Sequence, residues 1–574
     1  MRSPVFDRIS SVLLHSRFLG GCVLVVSLAR FVNLGFLDLQ AWDEGLYALR
    51  SASILHSGNW MDQTDYVPGG LATSCYPPLT FWSTAALYEV FGAKEWTTRL
   101  TSAVCGALSV LLVFLLTRHF TSDLAASLAG VLFGTNLFYS FLSRQGQLDV
   151  SYVFFLLLSA YGWSRWSGGR KAAGFLLMVL GTTGAFLSKI LVGFYVPLIL
   201  LGVQMIHMRH RWRWKDLLGL SAPIIVGIGL ALPWHVFMYL RHGQAFVDAF
   251  FRLHLMERLS TPIEGHNPAL GGLFYVNQVV VQYPEAALGV GLIALLARRK
   301  LDLERSSMPL VILSGVWWCL VFVIITVMAT KLQQYMLPLS VPVAILGGVS
   351  LSFLADGKIA GRSRLALLVL LSITTMWSAL WPLRTYVRGA LLGIPGTNPY
   401  ATFPWGMMSV AFLCAFFTLC LLAGIIRGQN WGDSGLWVGV LMLLLVVRLI
   451  LEVSVSDQTQ HIVGMKDVAS LLRSRNVNRI LYRGKDLNPA LDVYLKGWDQ
   501  WKTDVRLDYF LCGPSALTKG ESVVEPSVPG QATFLVEETR VGAGDCFPGL
   551  ATLGRDRPLL FENPAFRVYE LSVR

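Results

Sequence analysis

Gln40-Ala41-Trp42-Asp43-Glu44-Gly45-Leu46-Tyr47 follows directly on an apolar run at residues 18–37, so an acidic pair stands just past a stretch long enough to cross a bilayer. Carboxylates at a span end usually line a cavity or a polar path, because charge at membrane depth is costly. The reading of the remaining chain therefore turns on whether that span is one of many, and on which other polar groups share its Asp43 end.

The apolar run is one of many. The 574 residues are 54% hydrophobic and only 14% charged, with a mean hydropathy of +0.55, which describes a chain mostly dissolved in lipid. A ruler of about 20 apolar residues finds further spans near 99–117, 124–143, 150–166, 172–188, 190–207, 217–240, 284–298, 308–328, 334–354, 363–383, 405–426 and 435–454, about thirteen in all. The first span has no small-residue cleavage site behind it and is read as a retained anchor. The expected fold class is an all-α polytopic membrane protein, residues 1–454, followed by a small extracytoplasmic α/β domain, residues 455–574. In that tail charge rises and apolar runs shorten. Met465 to Ser474 reads as an amphipathic helix, with strands expected at 478–482, 533–537 and 566–572.

Lys and Arg gather in alternate loops: Arg2, Arg8 and Arg17, then Arg118, 165–171, 209–215, 298–305, 358–364 and Arg427. Short cytoplasmic loops carry this excess. Parity then sets residues 38–98, 241–283, 384–404 and the tail on the outer face, the periplasm of a bacterial inner membrane. The net charge of +12 is a product of that topology. No soluble basic face interleaved with aromatics appears, so no nucleic-acid partner is inferred.

Eight cysteines lack metal-ligand spacing. Cys512 and Cys546 share the outer tail, where they would pair if the compartment is oxidising. No internal repeat is visible, which weighs against an inverted-repeat transporter.

Polar residues at the outer span ends come from separate loops yet face one side. They are Asp43 and Glu44, Tyr76 before Pro77-Pro78-Leu79, Asp149, Lys189, Trp234-His235, His254, Glu257-Arg258, and Lys331 with Tyr335. The competing reading is interface anchoring by snorkelling side chains. For Asp43-Glu44 it is a charge in the first turn of a short helix over 44–55, and for Asp149 a capping carboxylate at the start of the fourth span.

These pieces, taken in order with Arg99-Leu100-Thr101-Ser102-Ala103, Leu187-Ser188-Lys189, Leu232-Pro233-Trp234 and residues 331–338, resemble the GT-C membrane glycosyltransferases of the protein O-mannosyltransferase and aminoarabinose transferase type, over about residues 20–350. The resemblance implies a cavity open to membrane and outer water, a polyprenyl (undecaprenyl) phosphate sugar as donor, and an extracytoplasmic hydroxyl as acceptor, on a glycolipid, lipid A, a polysaccharide or a protein.

Such a transfer needs a base for the acceptor and cations for the departing phosphate. Asp43 matches the family's first acid and is the expected base, with Glu44 in support, to hold the acceptor, help bind a divalent ion or orient the loop. Arg258 matches an arginine of the family's outer-loop motif and offers phosphate a planar fork. Lys189 and Lys331 would add charge and Tyr335 a hydrogen bond, with Asp149, Tyr76, His254 and Glu257 supporting. Glu44 and His254 are the candidates for a divalent ion, a thin ligand set with no dedicated spacing. Single displacement with inversion is expected, because retention needs a second carboxylate about 5–5.5 Å away, and adjacent residues point apart.

The chain departs from the pattern at two positions. The aminoarabinose branch has a basic residue before the double proline and an arginine three positions past the first acid, where this chain has Tyr76 and Leu46. The alternative function is a flippase or transporter of lipid-linked sugars, which would need access on both faces. A sensor or scaffold would leave Asp43, Arg258 and Lys331 without a role.

Overall fold

The computed structural model describes residues 15–370 apart from 37, 41–42, 68, 190–191, 209–213, 263–269, 299–303, 360 and 362. Beyond that it describes 438–446, 449, 465–474, 479–484, 491, 493–494, 506–511, 533–538, 559–562 and 566–570. The expected span at 405–426, most of that at 363–383, half of that at 435–454, and both Cys512 and Cys546 lie outside these residues.

The membrane part is built of α1 (Ser16–Leu28), α2 (Asp43–Ser57), α3 (Leu79–Phe91), α4 (Glu95–Phe120), α5 (Asp123–Thr135), α6 (Leu148–Ser167), α7 (Lys171–Ser188), α8 (Tyr195–Met208), α9 (Trp214–His242), α10 (Phe274–Gln282), α11 (Ala286–Ala297), α12 (Met308–Val327) and α13 (Ser340–Ala355). Among the described residues five helices are long and apolar enough to cross a membrane, or six if α10 and α11, bent by 99°, are one span.

Two sequence expectations change. The first span is shorter: α1 gives way after Leu28 to a 3-10 turn at Ala29–Phe31. Arg30 is wholly buried there and donates to the carbonyls of Val26 and Gly134. The expected span at 124–143 breaks at Asn136, which leaves helical geometry to cap a short helix at Leu137–Leu142. The Asn136 Oδ1 accepts from the Tyr139 amide at 3.0 Å, while its Nδ2 donates to the Gln282 carbonyl at 2.9 Å and to Glu285 at 3.0 Å. Local hydrogen bonding of this kind competes with helix continuation. The segment 38–98, expected on the outer face with a short helix over 44–55, carries α2 and also α3.

Close helix packing sets the spacing of the later site. A Cβ built on Gly181 of α7 would meet the Ser159 nitrogen at 2.6 Å and the Phe155 carbonyl at 2.7 Å, both on α6. Small residues let two backbones approach in lipid, where packing rather than hydrophobicity drives association. Asp149 opens α6 and Lys189 closes α7, so this contact brings the two ends together.

The tail contains α14 (Met465–Ser474) and a five-stranded mixed sheet, in the order β2-β1-β3-β5-β4. The strands are β1 (Arg479–Gly484), β2 (Arg506–Leu511), β3 (Thr533–Glu538), β4 (Leu559–Glu562) and β5 (Phe566–Glu570). β1 pairs in parallel with β2 and β3, and β5 pairs antiparallel with β3 and β4. The sequence reading had no counterpart for β2 and β4. The apolar face of α14 and the sheet share one core with Leu39, Leu46 and Leu49 around the start of α2. Tyr494 ties the two: its hydroxyl accepts from the Leu39 amide at 2.8 Å and donates to Glu95 at 3.1 Å.

Candidate functional site

Asp43 is the first residue of α2 and is half-buried. Carboxylates are favoured in a helix's first turn by the positive end of its dipole, so the helical reading of Asp43-Glu44 and the catalytic one coexist. Burial, then the Asp43 charge, push the Tyr47 phenol well above its usual range. Asp43 also acts in the same direction on Tyr76. Asp43, Tyr47 and Tyr76 thus share one locality.

Glu44 points the other way. It is fully buried, and its carboxylate accepts from Arg99 Nε at 2.7 Å, Arg99 Nη2 at 3.0 Å, the Gln40 amide at 2.7 Å and the Gly146 amide at 2.8 Å. Both oxygens are committed, so an acceptor-holding or metal-ligating role for Glu44 does not fit the geometry. Arg99 also donates to the carbonyls of Leu34 and Asp38. Together Glu44 and Arg99 fasten the start of α2 to α4 and to the turn before α6. The sequence signal for Arg99 was its place in the family-like run 99–103; its partner was not legible.

The cationic side of the site is continuous. Asp149 and Lys189 form an ion pair at 2.5 Å, Lys189 Nζ stands 5.6 Å from the Tyr335 ring centroid, and the Tyr335 hydroxyl accepts from Arg258 Nη1 at 2.7 Å. Arg258 sits where a π-helix, Asp248–Glu257, ends. Its backbone carbonyl accepts from the Thr330 amide at 3.0 Å, and the Leu259 carbonyl from that of Ala329 at 3.1 Å. These strand-like bonds hold the Arg258 loop to the 329–335 segment.

Lys331 departs from expectation. Its ammonium donates to the carbonyls of Ile325 at 3.3 Å, Thr326 at 2.6 Å and Met328, all at the end of α12. Three N–H groups meet three acceptors at the negative end of a helix dipole. A direct phosphate contact by Lys331 would require breaking that cap.

His254 packs its ring edge to face on Tyr76 at 5.0 Å, with Nε2 placed to donate to the Ala72 carbonyl at 2.8 Å. Burial, and after it the Arg258 cation, lower its pKa to about 4, so the imidazole is neutral. Among the described residues no group of three or more His, Cys, Asp and Glu could hold a metal ion. Glu257 is half-buried and gives its backbone carbonyl to Thr261.

Comparison with known proteins bears on the fold that carries these residues. Residues 76–236 match the family model described as dolichyl-phosphate-mannose-protein mannosyltransferase. An undecaprenyl phosphate-alpha-4-amino-4-deoxy-L-arabinose arabinosyl transferase of Pseudomonas aeruginosa is 29% identical over 341 residues, which span 57% of this chain and 59% of that enzyme. A protein of Aquifex aeolicus is 25% identical over 367 residues, 62% of this chain and 69% of that protein. The crystal structure of ArnT from Cupriavidus metallidurans bound to undecaprenyl phosphate superposes with a TM-score of 0.65 at 20% identity, over 97% of this chain and 98% of that one. The chain has the GT-C transferase fold. It resembles the aminoarabinose and protein mannosyl transferases, and the family-model match at 76–236 spans the helices that carry Asp149 and Lys189.

Proposed function

We propose that the chain is a membrane glycosyltransferase that moves a sugar from a polyprenyl-phosphate donor to an extracytoplasmic hydroxyl. The observation that carries this reading is the run Asp149, Lys189, Tyr335 and Arg258 beside Asp43: cations and a phenol for a phosphate, next to a carboxylate for a proton. The fold shared with a protein crystallised with undecaprenyl phosphate supports it.

In the proposed reaction the acceptor oxygen attacks the anomeric carbon as Asp43 takes the hydroxyl proton. The carbon–oxygen bond to phosphate breaks and polyprenyl phosphate leaves with the electron pair. Arg258 and Lys189 meet the charge that grows on the leaving group, in a water-poor site where such donors matter most. Asp149 holds Lys189 in place before the donor arrives. Glu44 fixes the helix that presents Asp43, and Lys331 fixes the segment that presents Tyr335. One base and one attacking hydroxyl imply inversion. In the proposed topology about thirteen spans place this site and the C-terminal α/β tail on the periplasmic face of a bacterial inner membrane.

Release of sugar from radiolabelled undecaprenyl-phosphate sugars by purified protein tests the reading. Asp43→Asn should lose about 100-fold or more in turnover, in the range of general base catalysis, while still binding undecaprenyl phosphate. Binding without turnover by the wild-type protein across donor sugars would favour a flippase.

A further inference from the structure

Arg50 is a buried guanidinium that neither the fold nor the reaction uses. It lies on α2 seven residues past Asp43 and three past Tyr47, so the three residues share one helix face. It is 2% exposed, and its Nε and Nη1 are enclosed with no hydrogen-bond partner. Its guanidinium carbon stands 3.9 Å from the Phe81 ring centroid, and the Phe81 ring meets Tyr47 edge to face at 5.6 Å.

The other buried arginines differ. Arg30 donates to two carbonyls, and Arg99 to a carboxylate and two carbonyls. Charged side chains are almost never fully buried unless paired, and an enclosed donor without an acceptor is among the costliest features a fold can carry. The aromatic face of Phe81 attracts the cation but accepts none of its hydrogen bonds conventionally. The cation's surroundings place it at the site's edge: Arg50 feels Cys75, Asp62, Tyr47 and Tyr76, and the Cys75 thiol is under the influence of both Arg50 and Arg258. The ring chain Phe81, Tyr47, Tyr76 and His254 leads from Arg50 toward the Arg258 loop, and an anionic oxygen reaching Arg50 would satisfy its unused donors.

We propose that Arg50 binds the phosphate of the lipid-linked donor, as a second guanidinium beside that of Arg258. The inference rests on the transferase reading of this site. Two forked cations on one phosphate would fix the orientation of its ester oxygen toward Asp43, which a single fork does not.

The test is the affinity of the full-length protein in detergent for undecaprenyl phosphate, measured by calorimetry alongside thermal denaturation. Wild type is compared with Arg50→Met, Arg50→Gln and Arg258→Met. Loss of a charge-assisted hydrogen bond predicts about tenfold or more weakening for both Arg50 variants, with a melting temperature unchanged or raised because an orphaned charge is gone. Arg50→Gln decides the matter if the Met variant fails to fold. Wild-type affinity in a folded Arg50 variant, with Arg258→Met weakened, overturns the inference and leaves the transferase reading intact. That outcome would assign Arg50 to an anionic acceptor or to structure alone. Absence of binding by the wild-type protein overturns both.

Discussion

Glu44 and Asp43 are neighbours in sequence with opposite fates. Removing Glu44 strands the Arg99 guanidinium in a site where it is only 3% exposed. Breaking a buried pair from one side typically costs about 3–5 kcal/mol, so Glu44→Ala should lower the melting temperature sharply in detergent, whereas Asp43→Asn should leave it nearly unchanged. Equal melting temperatures for the two variants would show that Glu44 does not anchor α2. His254 supplies a pH dependence. Its pKa falls from an ordinary 6.5 to about 4 in the folded chain. Above 6.5 both folded and unfolded chains hold it neutral and the fold has its full stability. As pH drops from 6.5 toward 4 the unfolded chain takes up a proton that the folded chain refuses, so stability declines across that window. The melting temperature of wild type should run parallel to that of His254→Asn above pH 6.5 and fall relative to it as pH drops from 6.5 toward 4; curves parallel through the whole range would refute the assignment. The sequence singled out Asp43, Lys189, Arg258 and Lys331 alike as charges on the outer side of the spans. It did not foresee that the Lys331 ammonium caps α12, since nothing in a linear string says that the end of α12 turns back toward it.

At the scale of elements, the tail reaches the start of α2 through Tyr494. Tyr494→Phe removes one acceptor from the Leu39 amide and one donor from Glu95, both in buried surroundings. Leaving such groups unsatisfied costs about 1–3 kcal/mol. The variant should exchange the Leu39 amide hydrogen faster and turn over more slowly, with undecaprenyl-phosphate affinity preserved. Unchanged exchange at Leu39 would mean that the tail does not brace α2. The amphipathic period of Met465–Ser474 foretold α14 to the residue, because a helix with one apolar stripe carries its own signature. The break at Asn136 was hidden, because an apolar run reads the same whether one helix or two pass through it; the polar partners that stop the helix come from Gln282 and Glu285, far along the chain.

For the whole molecule, charge asymmetry predicts orientation. In a background without native cysteines, Asp65→Cys should react with a membrane-impermeant thiol reagent added to intact spheroplasts, while Lys358→Cys should react only after permeabilisation. The reverse pattern would invert the topology and move the site to the cytoplasmic face. Both positions are solvent-exposed in the fold, so protection would report the membrane rather than burial.

The amino-acid sequence by itself determined the helical membrane architecture and the place of the acidic pair, because hydropathy and the position of charges along the chain are one-dimensional quantities that the bilayer reads directly. Tertiary structure alone decided which charges serve each other. Glu44 goes to Arg99, Asp149 to Lys189, Arg258 to Tyr335 and Lys331 to the end of α12, while Arg50 is left with enclosed donors beside Phe81. Pairing depends on distance and burial between groups tens to hundreds of residues apart, and those distances exist only once the helices have packed.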